Sequence, residues 1–100
     1  MKVRFRQTGG FGGLILGCDL DTAVMARDEA DQLLQLIEKA NIQGVSQRRH
    51  PRGRDLLVYE VALEENGKHI RASFDSMTTP SQVEPLLRFL AQRARAVPLE

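Results

Sequence analysis

The side chains with the most reactive chemistry in this sequence are one thiol and two imidazoles. Cys18, His50 and His69 are candidate metal ligands by type, but their spacing matches no zinc pattern. The chain also lacks the Gly-x-Ser-x-Gly, His-Glu-x-x-His and phosphate-loop motifs of enzymes. We therefore interpret Cys18 as a buried thiol and both histidines as surface residues. The sequence predicts no metal site, no cofactor and no catalytic residue, and so a protein that is not an enzyme.

Four glycines surround Phe11, at positions 9, 10, 12 and 13. They do not complete a Gly-x-Gly-x-x-Gly pattern, because position 15 is Ile, and they lead into a predicted strand, so no helix N-terminus follows to bind phosphate. An exposed phenylalanine can bury about 150–250 Å² against a partner, and glycines let the backbone approach that partner closely. In the alternative interpretation, Phe11 folds back onto its own core. The predicted partner-binding residues are Thr8, Gly9, Gly10, Phe11, Gly12, Gly13 and Leu14.

Residues 46–54 have no apolar periodicity and are rich in basic side chains, which predicts an exposed basic loop. The loop is either simply solvated or binds an anionic partner, such as an acidic protein surface or nucleic-acid phosphates. Few aromatic residues lie nearby to stack on bases, so nucleic acid is the weaker alternative. The secondary partner-binding candidates are Arg48, Arg49, Arg52 and Arg54.

Apolar residues recur first with the period of strands and then with the period of a helix. Residues 2–7 alternate, with Val3 and Phe5 on one face, and residues 14–18 form a second apolar segment. Two short strands around a glycine-rich connection predict a hairpin. Residues 26–40 have apolar side chains at helical spacing, which predicts an amphipathic helix. The apolar positions of that helix are Ala30, Leu33, Leu34, Ile37 and Ala40.

Asn66-Gly67 is the most specific local signal in the chain, because a type I′ turn needs positive φ at both central residues. A two-residue turn also fixes the register of the strands on either side. The predicted pairs are Glu65 with Lys68, Leu63 with Ile70, Val61 with Ala72, and Tyr59 with Phe74.

The last predicted element is a helix that opens near Ser81, with Glu84 spaced as a capping box and Pro85 tolerated in the first turn. Its apolar stripe is Val83, Leu86, Leu87, Leu90, Ala94 and Val97. The order β-β-α-β-β-α predicts an α+β, two-layer fold: a four-stranded, mainly antiparallel sheet with both helices on one face. The opposite face is expected to meet water through Arg4, Arg6, Glu60, Arg71 and Ser73.

Length and composition set the class of protein. With 100 residues and 42% hydrophobic content, we expect a single domain over residues 1–98. The net charge of +1 argues against a dedicated nucleic-acid or membrane protein. A single cysteine and the lack of a long apolar segment indicate a cytoplasmic protein. We also expect a monomer, and interpret residues 99–100 as a tag remnant.

The glycine-rich segment, Thr8-Gly9-Gly10-Phe11-Gly12-Gly13, resembles the emfourin-like family of protealysin inhibitors. The similarity extends over about residues 3–95. Its other matching positions are Asp21-Thr22, Arg54-Asp55, Tyr59, Pro80 and Pro85-Leu86-Leu87 with Leu90.

The resemblance implies a reversible protein inhibitor of a protealysin-like or thermolysin-like zinc metalloprotease, which occludes the active-site cleft of that enzyme. We expect residues 8–14 to make the main contact, with Phe11 as anchor. The alternative is a small nucleic-acid-associated or regulatory adaptor that uses the basic loop 48–54. A third possibility is self-association through an unpaired edge strand.

Overall fold

The computed structural model describes residues 1–9, 15–42 and 57–97, together with the backbone of residues 47–48. In this part of the chain, six strands form one sheet and two helices pack on one of its faces. The strands are β1 (Lys2–Thr8), β2 (Leu16–Asp21), β3 (Gln47–Arg48), β4 (Val58–Glu65), β5 (Lys68–Asp75) and β6 (Arg95–Ala96). The helices are α1 (Arg27–Ala40) and α2 (Glu84–Ala91).

The strand order is β3-β5-β4-β1-β2-β6, so the N-terminal strand lies in the middle of the sheet. The four long strands pair antiparallel, which confirms the α+β class with a mainly antiparallel sheet and two helices. The predicted count of four strands is wrong, because the two-residue strands β3 and β6 pair with the outer long strands. β3 is parallel to β5, and β6 is antiparallel to β2. Strands this short have no hydrophobic periodicity to detect, but they do cover the backbone groups of an edge.

The second hairpin has the predicted register at every pair, from Glu65↔Lys68 to Tyr59↔Phe74. Asn66 and Gly67 have φ values of 52° and 79°, as a type I′ turn requires. The turn and the apolar alternation therefore specify the same pairing.

Helix α1 begins one residue after the predicted position and ends as predicted. Asn41 caps its C-terminus in the left-handed conformation, with φ 47°, and its N–H donates to the Ile37 carbonyl at 3.2 Å. Leu33 and Ala40 are buried in the core, whereas Leu34 lies at the rim of the apolar stripe and is 38% exposed.

Helix α2 is shorter than predicted at both ends. Turns formed by the Val83 and Glu84 N–H groups precede it, and no side chain caps its start, so the predicted capping box does not form. The helix ends at Ala91, and Arg95–Ala96 form β6 instead of a fourth helical turn. Backbone pairing of β6 with Leu16 and Gly17 satisfies the edge of β2, which outweighs the helical spacing of the apolar residues there.

The core lies between the sheet and the helices. Its fully buried large side chains come from β1, β4, β5, both helices and the residues that follow α1 or precede α2: Phe5, Phe74, Leu33, Ile42, Leu86, Leu90, Val3, Val61 and Val83. On the opposite face, Arg4, Glu60 and Arg71 are exposed and Arg6 is partly exposed. Ser73 is only 6% exposed, so its predicted contact with water is wrong; it lies on β5 where β3 pairs alongside.

Helices long and apolar enough to cross a membrane are absent from the described ranges.

Candidate functional site

The glycine-rich segment connects two paired strands. β1 and β2 pair antiparallel up to Gln7↔Leu16, and Thr8 continues the pairing of β1 with Val58 of β4. Gly9 then leaves the strand with φ 93°, in the region that glycine adopts without steric cost. Residues 10–14, which include the predicted contacts Gly10, Phe11, Gly12, Gly13 and Leu14, lie outside the described residues.

The returning end of this connection is also held by the backbone. The Ile15 carbonyl accepts a hydrogen bond from the Val97 N–H at 2.9 Å. Strand β6 then pairs with Leu16 and Gly17. Both ends of the connection are thus bonded to neighbouring strands, so the sheet fixes where residues 10–14 begin and end.

The basic segment leaves from the same end of the sheet. Arg48 closes the short strand β3 opposite Phe74, and the chain returns at Leu57, whose carbonyl accepts from the Ser76 N–H at 2.9 Å. Because Val58 pairs with both Thr8 and Asp75, this end of the sheet is the one where β1 ends. Arg49, Arg52 and Arg54 lie outside the described residues, and for Arg48 only the backbone is described.

Two hollows flank this end of the sheet, and neither is predicted by a motif in the sequence. One, of about 330 Å³, lies on the face away from the helices and is lined by Thr8, Ile15 and Arg6 among others. The second, of about 280 Å³, lies on the helix side beside Gln7 and Arg88. Their walls come from strands and helices distant in sequence, which is why no local pattern reveals them.

Asp19 is the centre of an ion-pair cluster on the face away from the helices. Arg6 donates to both carboxylate oxygens, from Nη1 at 3.1 Å and from Nη2 at 3.4 Å, and Arg4 Nε donates to Oδ1 at 3.3 Å. Arg6 lies over Gly17, where an added Cβ would come within 2.8 Å of its side chain. The hydrogen bond from Arg6 is the main cause that lowers the pKa of the Asp19 carboxyl below its ordinary value.

This shift predicts a pH dependence of stability. A carboxyl whose pKa is lower in the folded state stabilises the protein above its unfolded pKa of about 3.9, and that contribution is lost as the pH falls through the folded pKa. The Asp19 side chain is 57% exposed, so solvent screens the pair. Asp19→Asn is therefore expected to lower the free energy of unfolding by only about 0.5 kcal/mol at pH 7, and by less near pH 2. Urea denaturation at both pH values measures the difference.

Asp31→Asn, on the exposed face of α1, is the control and should leave stability nearly unchanged at both pH values. A loss for Asp19→Asn that is equally large at pH 2 and pH 7 would contradict the electrostatic origin.

The thiol and the histidine identified in the sequence lie on opposite faces of the sheet. Cys18 faces the helices, is half-buried, and donates through Sγ to the Leu90 carbonyl at 3.6 Å. Burial raises the pKa of the Cys18 thiol, and the Asp19 charge adds to the effect, so the thiol is protonated and weakly nucleophilic at neutral pH. His69 is exposed on β5, 3.9 Å from a Glu64 carboxylate oxygen. Across the residues described, no three potential metal ligands come together; His50 is not among these residues.

Fold and site together define a small α+β protein with a glycine-rich hairpin connection at one end of its sheet. The sequence model of the Emfourin family matches residues 5–91, which include both predicted partner-binding segments. The chain belongs to the Emfourin family, whose members are protease inhibitors and not enzymes. Searches of curated proteins and of solved structures find no significant match.

Proposed function

We propose that the protein is a reversible inhibitor of a protealysin-like or thermolysin-like zinc metalloprotease. Residues 8–14 enter the substrate cleft of the protease, with Phe11 as the anchoring side chain. The inhibitor supplies no catalytic group, since blocking a cleft requires only a complementary surface held in place. The observation that carries the proposal is the family match over residues 5–91.

The arrangement of the sheet supports residues 8–14 as the part of the inhibitor that contacts the protease. A loop that enters a cleft has to keep its shape when the partner binds, and both ends of the 10–14 connection are bonded to neighbouring strands. A connection fixed in this way loses less entropy on binding than one with loose ends. The hairpin end is therefore a suitable place for the contact residues.

The basic segment has a secondary role in the proposal. The two described flanks of the basic segment, Arg48 and Leu57, lie at the same end of the sheet as the glycine-rich connection, so one partner can meet both segments. Arg48, Arg49, Arg52 and Arg54 then steer an acidic protease surface toward the hairpin, which raises the association rate more than the affinity.

The direct test is the residual activity of a purified protealysin-like metalloprotease against the concentration of this protein. We expect inhibition that is complete at micromolar concentration and reversed by dilution. An unrelated serine protease is the specificity control and should keep its activity. Gel analysis of the inhibitor after incubation excludes simple competition by a cleaved substrate. Full metalloprotease activity at micromolar inhibitor would contradict the proposal for that enzyme.

The adaptor alternative is tested by a separate measurement, the binding of oligonucleotides at increasing salt concentration. Binding of mixed oligonucleotides that weakens steeply with salt would favour it, because phosphate contacts release counterions.

We propose a cytoplasmic location and a monomeric state for the inhibitor. Fractionation of the producing cells tests the location, and size-exclusion chromatography tests the oligomeric state.

A further inference from the structure

The outer face, defined as the sheet face away from the helices, has its charged side chains in rows across β1, β4 and β5. In one row, Glu64 pairs with Lys2 on one side and His69 on the other. In another, Glu60 lies between Arg6 and Ser73. Each of these two rows has a carboxylate at its centre, on β4.

The row between them lacks that carboxylate. Ala62 occupies the central position and pairs with Arg4 on β1 and with Arg71 on β5. Because neighbouring strands lie about 4.8 Å apart, the Cα atoms of the two arginines are about 10 Å apart across the alanine. Each guanidinium can reach a point above Ala62, where only a methyl group projects from the sheet.

The two arginines keep hydrogen-bond donors available for this point. The Arg71 side chain is exposed and makes no hydrogen bond or ion pair with a described residue. Arg4 uses Nε for Asp19, at 3.3 Å, and its two terminal nitrogens make no bond to a described residue. Asp19 itself is held mainly by Arg6, which binds both of its oxygens. A guanidinium has five N–H donors, so both side chains can accept a further anionic partner.

Two hollows meet at Ala62, and one of them has an apolar rim. A groove of about 660 Å³ extends from this row toward the end of the sheet opposite the hairpin connection, and both arginines line it. Val24, which is 83% exposed, lies on the same groove. The hollow of about 330 Å³ adjoins from the other side and shares Arg4, Ala62 and Arg71. The groove therefore presents cationic donors beside an exposed apolar side chain.

We propose that this groove is a second protein-binding site, which accepts an aspartate or glutamate side chain of a partner protein between Arg4 and Arg71, with a neighbouring apolar residue against Val24. The carboxylate completes the middle row in the way that Glu64 and Glu60 complete the other two. From the middle row the groove extends away from the glycine-rich segment, toward Val24 at the opposite end of the sheet, and the proposal does not depend on the inhibitor function.

The charges around the groove favour a single carboxylate over a polyanion. Among the described strand residues, four acidic side chains share the outer face with five basic ones, so this part of the face has little net charge. A strand of phosphates or a run of glutamates would meet the flanking carboxylates as well as the arginines. One carboxylate above Ala62 contacts only the donors. The acidic residues are Asp19, Asp21, Glu60 and Glu64, and the basic residues are Lys2, Arg4, Arg6, Arg71 and Arg95.

An NMR titration of the full chain tests the proposal. The probe is the capped peptide acetyl-Ala-Glu-Leu-Ala-amide, and the comparison is the same peptide with glutamine in place of glutamate. We expect saturable shift changes at the amides of Ala62 and Arg71 and at the Val24 methyl groups. Binding of the glutamine peptide is expected to be roughly tenfold weaker, which is the usual loss with one charged hydrogen-bonding group.

Two variants test the site, one by removing a donor and the other by adding a carboxylate. Arg71→Gln removes one donor, and Ala62→Glu supplies the missing carboxylate from the chain itself; each is expected to weaken peptide binding roughly tenfold. Arg88→Gln, on the exposed face of α2, is the matched control and should bind as the unmodified protein does. Thermal unfolding verifies that each variant is folded.

Equal binding of the two peptides, or unchanged binding to Ala62→Glu, would overturn the proposal. A last NMR titration uses inorganic phosphate at matched ionic strength. Saturable shifts at Ala62 with phosphate but none with the glutamate peptide would identify a small-anion site and overturn the protein partner.

Discussion

Replacing Phe5 with alanine is expected to lower the free energy of unfolding by about 3–5 kcal/mol. Phe5 is on the central strand β1, is 0% exposed, and pairs across the sheet with Cys18 on one side and Val61 on the other. Its ring also stacks on Tyr59, with centroids 6.4 Å apart and planes at 15°. Truncation removes those contacts and leaves a cavity at the centre of the sheet, where neighbours on both sides are fixed by backbone pairing and cannot close it.

A loss of this size is large for a domain of 100 residues. Small proteins have total stabilities of about 5–15 kcal/mol, and each kcal/mol corresponds to about 4–8 °C in the melting temperature of a domain this size. We therefore expect Phe5→Ala to melt more than about 10 °C below the unmodified protein. Urea and thermal denaturation, followed by circular dichroism, measure both quantities.

Arg4→Ala provides a control on the adjacent residue of the same strand. Its side chain faces the other side of the sheet, and its ion pair with Asp19 is more than half exposed. A pair of this kind contributes about 0–1 kcal/mol. A loss below about 1 kcal/mol for Phe5→Ala, or equal losses for both variants, would contradict the location of the core on this face of β1.

The second hairpin could be predicted down to individual residue pairs, because two independent signals specify it. Asn66-Gly67 fixes the turn type, and the alternation of β4 and β5 fixes which residues face the core. A register shifted by one residue would turn every apolar side chain toward water. Local chemistry is sufficient where turn and pattern agree in this way.

The edges of the sheet could not be predicted, because their strands are defined by their neighbours and not by their own residues. Arg95–Ala96 continue a helical apolar spacing in the sequence but pair with β2 in the structure. Gln47–Arg48 lie in a segment with no periodicity and pair with β5. In both cases a short neighbouring segment forms backbone hydrogen bonds with an outer strand, and the side chains of that segment do not predict the pairing.

The sequence predicts which residues could form the candidate sites, but it does not predict how those residues lie relative to one another. Alternation places Arg4 and Arg71 on the outer face, but their proximity depends on the strand order, which puts β4 between β1 and β5. The significance of Ala62 appears only once its two cross-strand partners are known. By contrast, the glycine-rich segment can be identified from the sequence alone, since Phe11 stands between two pairs of glycines.

Replacing Phe11 with alanine is expected to raise the inhibition constant for the metalloprotease by roughly one to three powers of ten, because a buried aromatic anchor typically contributes ~2–4 kcal/mol to binding. The increase should appear mainly as faster dissociation, since the loss of an anchoring contact affects the complex more than the encounter. Inhibition kinetics with the purified enzyme give the constant, and surface plasmon resonance separates the two rates.

Val24→Ala is the matched control for Phe11→Ala. It also truncates an apolar side chain, one that is 83% exposed and lies at the opposite end of the sheet. Inhibition by Val24→Ala should equal that of the unmodified protein. Equal inhibition constants for Phe11→Ala and the unmodified chain would place the main protease contact elsewhere.

The variants of Phe5 and Phe11 together separate folding from inhibition. Phe11 belongs to a connection whose two ends are bonded to the sheet, so its truncation is expected to reduce affinity and to leave the melting temperature nearly unchanged. Phe5→Ala is expected to do the reverse at temperatures where it remains folded: a lower melting temperature with an inhibition constant close to that of the unmodified protein. If Phe11 instead packs into its own core, Phe11→Ala lowers the melting temperature along with inhibition, and the anchor role is contradicted. The melting temperature of Phe11→Ala thus decides between the two interpretations of this residue.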